Sequence, residues 1–475
     1  MVARICEHAV GLEFAFRSVP MVTVTSLNAV DYGMVPNTSA DQTANFQSAI
    51  NAAQSQLLPL YIPAGTYLIT TVNVSSNVEI YSSSRSGFLQ GYGGQSPQIN
   101  IAPISPATYV DVVHIRDISI DGGGQSFSGT PSDAGLIQAS NTFNLIIDDC
   151  YINASAIHGV YLNAAAGKVT NNLIGAAGSA GIFSIDAATS GMTIENNSVL
   201  DSGNNGILVW RSSVSGDNSQ IIRNTIGNTG AALGGTGQYG NAINIFKANF
   251  VIVESNSIYG STFSAIRLNS SSFCQILGNN SFGSGENAIW LECPGSTDGF
   301  AGGVVANNII DTTGGGIFVA NTTDGGHRVV VSNNQVSNVV VQTVITGYQS
   351  IGRAMQGEGD VLFTGNQIDG AEDWGITLIP FALGTTKTVG QAENNMIKNC
   401  AGGIGFVKDN TGTGIFIGGN TIYKYTTTTK YAAIVACSYN GSTGAVSKLS
   451  GATDLGNATS SGFSNVKLLL NYSFT

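Results

Sequence analysis

Along most of the chain, short strands of alternating apolar and polar residues are punctuated by asparagine. Three consecutive examples set the pattern: NAINIFK (Asn241–Lys247), SAIRLN (Ser264–Asn269) and NAIWLE (Asn287–Glu292). Strand side chains alternate between faces, so Ile243/Ile245, Ile266/Leu268 and Ile289/Leu291 are expected to point inward. The outward set is then Asn244/Phe246, Arg267/Asn269 and Trp290/Glu292. From Asn144 onward a strand opening on Gly or Ala before an apolar residue recurs (GVYL, GIFSI, GILVW, AINIF, AIRL, AIWL, GIFV, GITLI, GIGFV, AAIVA). Between these strands an Asn-x-apolar motif returns at Asn172, Asn197, Asn224, Asn256, Asn280, Asn308, Asn334, Asn366, Asn395 and Asn420, with Cys150 in its place one turn earlier. Its spacing runs from 24 residues (Asn256 to Asn280) to 32 (Asn224 to Asn256). A fixed strand frame with loops of variable length explains that spread, whereas a helical repeat keeps a stricter period. Stacked in register, the asparagines are expected to form an internal hydrogen-bonded ladder and the isoleucines to fill the core.

The expected architecture is therefore all-β, a right-handed parallel β-helix with an N-terminal capping helix. A coil needs such a lid, because its first turn exposes a core cross-section and a free strand edge. Ser39 or Asp41 can cap a helix over about 41–53, with Phe46, Ile50 and Ala53 at helical spacing. Residues 1–21 do not conform, 22–425 form the capped coil, and 426–475, rich in Thr, Ser and Gly, read as a C-terminal cap or oligomerisation strands. The largest insertions are Gly227–Gly240, Glu292–Gly303 and Val339–Asp360, two of which flank the three model strands.

The segment AVDYGMVPNTSADQTANFQSAINAAQSQLLPLYIPAGTYLI, from Ala29 to Ile69, resembles the N-terminal part of the pectate-lyase-like superfamily. That resemblance implies a helix-capped right-handed parallel β-helix, a fold shared by lyases, hydrolases and phage tailspikes. Gly234–Asn280 also resembles a family of uncharacterised bacterial repeat proteins described as twin-arginine-translocated, and the similarity extends over most of Asn144 to Asn410. It implies an exported, secreted or periplasmic β-helix and brings no established reaction. The charge-interrupted stretch from Met1 to Pro20 lacks a twin-arginine signal and makes a poor signal peptide.

Composition narrows the partners. A formal charge of −11 argues against nucleic acid, which needs a basic footprint, and no apolar run reaches membrane-spanning length. The six cysteines are scattered and read as small buried hydrophobes, and the four histidines show no zinc-ligand spacing with them.

Candidate chemistry lies on the outward columns. One runs Tyr161, Phe183, Leu208, Asn244, Arg267, Trp290, Phe318, Thr377, and the other Asn163, Ile185, Trp210, Phe246, Asn269, Glu292, Ala320, Ile379. Aromatic rings along a shallow face suit a polysaccharide, since pyranose rings stack on flat apolar surfaces while hydroxyls meet amides and charges. A loop or a neighbouring subunit covering the strip is the competing reading. Arg267, Lys247 and Arg211 are expected to converge, which would suit β-elimination with Tyr239 or His158 carrying the proton. Glu292 with Glu286 or Asp298 would instead suit glycoside hydrolysis. Asn244, Trp290, Phe246, Asn269, Tyr239, Trp210 and Arg211 are the expected binding residues. The reading places a polysaccharide lyase ahead of a glycoside hydrolase, with a non-catalytic, tailspike-like homotrimer as the other class. No cofactor is called for, although the acidic group Glu358, Asp360, Asp369, Glu372 and Asp373 beside Trp374 makes calcium the candidate ion against ordinary solvated loop charge.

Overall fold

The structure, a computed structural model, describes residues 25–475 apart from 106–107, 130–131, 233–238, 294–299, 322–326, 380–381, 384–385, 408–413, 424–431, 460, 464 and 475. The chain winds as a right-handed parallel β-helix. A sixteen-stranded sheet runs from Leu27–Asn28 to Val466–Leu468, and a twenty-eight-stranded sheet supplies the rest of the wall. The Gly/Ala-apolar strands stack within the larger sheet in the expected register, with Ile243, Ile266, Ile289 and Ile317 aligned on successive turns. Ile243, Ile245, Ile266, Leu268, Ile289 and Leu291 are all buried in one continuous core.

The helix spans Thr43–Gln56 and buries Phe46, Ala49, Ile50 and Ala53 completely against the first turns. Neither expected residue occupies the N-cap, which is Gln42 without a side-chain cap bond, although Asp41 one residue earlier accepts from the Thr43 N–H at 2.9 Å. This end of the core is thereby closed by an apolar helical face.

The asparagine ladder is present, and each interior rung from Asn197 to Asn395 makes the same four bonds. At Asn256, Nδ2 donates to Ile221 O and to Asn279 Oδ1, both at 2.9 Å, while Oδ1 accepts from the backbone and side-chain nitrogens of Asn224 at 2.9 and 3.0 Å. Cys150 begins the row by donating its backbone N–H to Asn172. One position is corrected: the rung is Asn279, and Asn280 is exposed at the start of the next strand. Each rung from Asn172 to Asn420 follows a residue with left-handed φ, such as Asn171 at 58°, Asn196 at 56° and Asn307 at 59°. In Gly278-Asn279-Asn280 the glycine takes that conformation, φ 61°, so the rung falls one residue earlier than the doublet suggests.

The stretch 426–475 contributes final rungs. Val466–Leu468 and Tyr472–Phe474 pair parallel to Ile415–Ile417 and Thr421–Tyr423, and Asn471 closes the ladder. Ile434–Asn440 forms a further parallel strand and then turns back antiparallel with Ala445–Lys448. The free cysteines Cys150, Cys274, Cys293, Cys400 and Cys437 are buried. Burial pushes the Cys150, Cys274, Cys400 and Cys437 thiols up to about 12, which makes them packing residues and poor nucleophiles.

Candidate functional site

Strand alternation puts Asn244, Arg267, Trp290 and Phe318 in one outward column and Phe246, Asn269, Glu292 and Ala320 in the next. Adjacent turns bring these side chains into contact. The Arg267 guanidinium lies over the Trp290 ring, 4.2 Å from its centroid, and pairs with Glu292. Arg267 Nε donates to Glu292 Oε2 at 3.2 Å, and Asn269 Nδ2 donates to the same oxygen at 3.2 Å.

Glu286, just before the Asn287–Glu292 strand, approaches the other edge of the guanidinium, its Oε2 lying 3.7 Å from Arg267 Nη1. Ser264 Oγ donates to Glu286 at 3.1 Å and the Tyr348 hydroxyl donates to it at 2.5 Å. Burial pushes the Glu286 carboxyl above the ordinary carboxylate range, against the pull of Arg267 and of its hydrogen bonds. Tyr348 comes from an antiparallel hairpin, Thr343–Ile345 with Tyr348–Gln349, inside the third large insertion, and stacks on Phe263 with ring centroids 6.1 Å apart. This part of the face is thus outward yet enclosed: Arg267 is 3% exposed, Asn244 2% and Glu286 2%.

The expected convergence of three cations does not occur. Arg211 turns away, donating to Ala187 O at 2.8 Å and Ser215 Oγ at 2.6 Å and pairing with the buried Asp217 at 3.3 Å. Lys247 lies over the Phe246 ring, 5.0 Å from its centroid, and Phe246 packs on Trp210 at 4.2 Å. Asp298 lies outside the described residues.

The acidic group at the late turns is also differently placed from expectation. Glu358 accepts from Gln356 at 2.5 Å and from Tyr439 at 3.1 Å, and Asp373 holds the fully buried Arg353 at 2.6 Å. Asp360 pairs with Arg328, Asp369 with Lys398, and Glu372 accepts from the Val341 N–H. Each carboxylate has its own partner, Trp374 is fully buried, and among the described residues no group of three or more His, Cys, Asp or Glu is set to hold a metal ion.

The family model described as rhamnogalacturonase A/epimerase, pectate lyase-like, matches residues 26–262. The chain belongs to the pectate-lyase-like β-helix superfamily. Among solved structures, this pectate-lyase-like coil is similar to the catalytic unit of a thermostable GH87 α-1,3-glucanase from Streptomyces thermodiastaticus. The TM-score is 0.55 at 15% identity, over 83% of this chain and 68% of that one. It is also similar to the N-terminal fragment of bacteriophage phi29 gene product 12, with TM-score 0.56 at 13% identity, over 89% and 73% of the two chains. At such identities the likeness establishes the fold. No curated protein matches the chain in sequence.

Two features of this superfamily member escaped sequence reasoning. Met355–Gly359 is a further strand of the outward face, pairing with Ile317–Asn321 and with the Ile376–Ile379 part of the following strand, so Gln356 and Glu358 extend the two columns. In addition, a groove of about 580 Å³ opens beside the aromatic turns, lined in part by Asp133, His158, Phe183, Asn205, Trp210 and Tyr239. Its His158 and Tyr239 were legible as candidate proton carriers, but nothing in the spacing ties the histidine to Asp133.

Proposed function

We propose that the protein is an exported carbohydrate-active protein that binds a polysaccharide along this outward face and cleaves its glycosidic bonds. The observation that carries the reading is the continuity of the face. Aromatic residues Tyr161, Phe183, Trp210 and Phe246 occupy four successive turns and Trp290 follows one turn beyond Arg267, with an open groove at one end and the Arg267 carboxylate cluster at the other. The Trp210 and Glu292 turns are three strand spacings apart, roughly 14 Å, a span that several linked sugars cover.

Hydrolysis suits the cluster better than elimination. Elimination requires a cation to neutralise a uronate carboxylate, and Arg267 is already paired with Glu292. In the hydrolytic assignment Glu286, whose carboxyl burial pushes above the ordinary range, is the acid, and Glu292, whose side chain is 21% exposed, is the carboxylate that faces the substrate. The assignment is tested by product analysis on a polysaccharide panel. Hydrolysis yields new reducing ends without an unsaturated, ultraviolet-absorbing sugar, and Glu292→Gln or Glu286→Gln should lower the rate by roughly 100-fold or more. An unsaturated product would replace hydrolysis by elimination.

A second reading, a non-catalytic glycan-binding protein that assembles as a homotrimer, is favoured by the near-complete burial of Arg267 and Glu286. Full binding without turnover on every substrate that binds, together with a trimeric mass in solution, would select it.

A further inference from the structure

The groove beside the aromatic turns contains a built polar pair. Ala180 donates its backbone N–H to His158 Nδ1 at 3.2 Å, so in the neutral ring the proton sits on Nε2. That nitrogen lies 3.6 Å from Asp133 Oδ1 and makes no hydrogen bond among the described residues. The imidazole is 3% exposed and is wedged between rings, stacked on Tyr161 at 5.7 Å and edge-on to Phe183 at 5.1 Å. The ring packing holds the imidazole with Nε2 toward the Asp133 carboxylate, whose side chain is 51% exposed at the groove wall. Trp210, Phe183 and Tyr239 supply the apolar lining and Asn205 an amide.

The charge of the lining is as informative as its shape. Among the described residues that line the groove none is Lys or Arg, and Asp133 is the acidic one. The adjoining 233–238 and 130–131 carry no charged residue in sequence. The nearest cations on the face are committed elsewhere, Arg211 to Asp217 and Arg267 to its two glutamates, while Lys247 packs on Phe246. A uronate or sulfate placed here would meet a carboxylate and no counter-charge, whereas a sugar hydroxyl would find an oriented acceptor beside aromatic surface.

We propose that this groove is a subsite for uncharged glycans, in which Asp133, beside His158, accepts hydrogen bonds from sugar hydroxyls while Trp210 and Phe183 pack against the ring. The proposal rests on the polysaccharide reading above and names the substrate class within it. The test is binding of the purified chain to an oligosaccharide array spanning uncharged, uronic-acid and amino-sugar polymers. The hits are then titrated by calorimetry against Trp210→Ala, Asp133→Asn and, as a control outside the groove and the outward face, Asn280→Ala. Uncharged oligosaccharides should bind best, Trp210→Ala and Asp133→Asn should each weaken them by roughly tenfold, and Asn280→Ala should leave them unchanged. Asp133→Asn preserves shape, so its effect does not depend on the fold surviving the loss of an indole. Preferred binding of uronic-acid or amino-sugar polymers, or uncharged binding untouched by both groove variants, overturns this inference and leaves the polysaccharide reading standing. An array with no bound glycan overturns both.

Discussion

Replacing one asparagine in the Asn279-Asn280 pair should matter far more than replacing the other. In Asn279→Ala four hydrogen bonds disappear. Nδ2 loses Val253 O and Asn308 Oδ1, both at 3.0 Å, and Oδ1 loses the Asn256 backbone N–H at 3.0 Å and the Asn256 Nδ2 at 2.9 Å. At about 1 kcal/mol net for each, the loss is about 4 kcal/mol. The buried Asn256 N–H is then left without its acceptor, which keeps the figure from relaxing much. Asn280 is exposed and contributes no rung, so Asn280→Ala should stay within about 0.5 kcal/mol. Urea unfolding of the two variants beside the parent measures the difference, and amide hydrogen exchange at Asn256 should quicken in Asn279→Ala alone. An Asn280→Ala variant as damaging as Asn279→Ala, or an Asn279→Ala cost below about 1 kcal/mol, would refute the ladder as a source of stability.

Other perturbations have equally definite outcomes. Arg267→Met strands the buried Glu286 and should destabilise by about 3–5 kcal/mol in thermal or chemical unfolding, with much of the loss recovered in Arg267→Met/Glu286→Gln. Because burial raises the folded-state pKa of Glu286, its stabilising contribution is complete below the ordinary carboxyl range and is lost as pH rises through the raised value. The stability of the parent relative to Glu286→Gln, followed by unfolding at a series of pH values, should therefore fall with rising pH across that window. Tyr348→Phe removes the 2.5 Å bond to Glu286 and should cost about 1.5–3 kcal/mol, seen as faster exchange or proteolysis at the Thr343–Gln349 hairpin. Gly167 sits at φ 144° with its α-carbon against the Leu145 backbone, so Gly167→Ala should unfold at markedly lower denaturant, whereas Gly93→Ala, at an open turn with φ 61°, should be far milder.

The coil was legible because its determinants are local and repeated. An isoleucine at alternate positions and an asparagine after each strand need no knowledge of distant residues, and parallel stacking then places Asn244, Arg267 and Trp290 side by side. Met355–Gly359 was hidden because its second inward position is Gly357, which shows no apolar signal. The space there is filled by the Phe363 ring, which a Cβ on Gly357 would meet at 2.7 Å, so the core is complete although the strand lacks its own apolar residue. The enclosure of Arg267 was likewise invisible, since it depends on a hairpin from an insertion folding back to place Tyr348 on Glu286. Asp133 stands two residues before Gly135, the register partner of His158 on the next turn, in a segment that precedes the regular repeat.

The asparagine row has a sense of direction. From Asn172 to Asn420 each Nδ2 donates one hydrogen to the Oδ1 of the next turn, so the amide dipoles add head to tail along the axis, and each bond polarises its successor. The two ends are consequently unlike. A break near the start exposes bare oxygens that water readily satisfies from its hydrogens, while a break near Asn471 exposes amide hydrogens seeking a carbonyl. Growth or shortening of the coil by whole turns should therefore be tolerated unequally at its two ends, and a grafted turn must arrive with the matching polarity to be accepted.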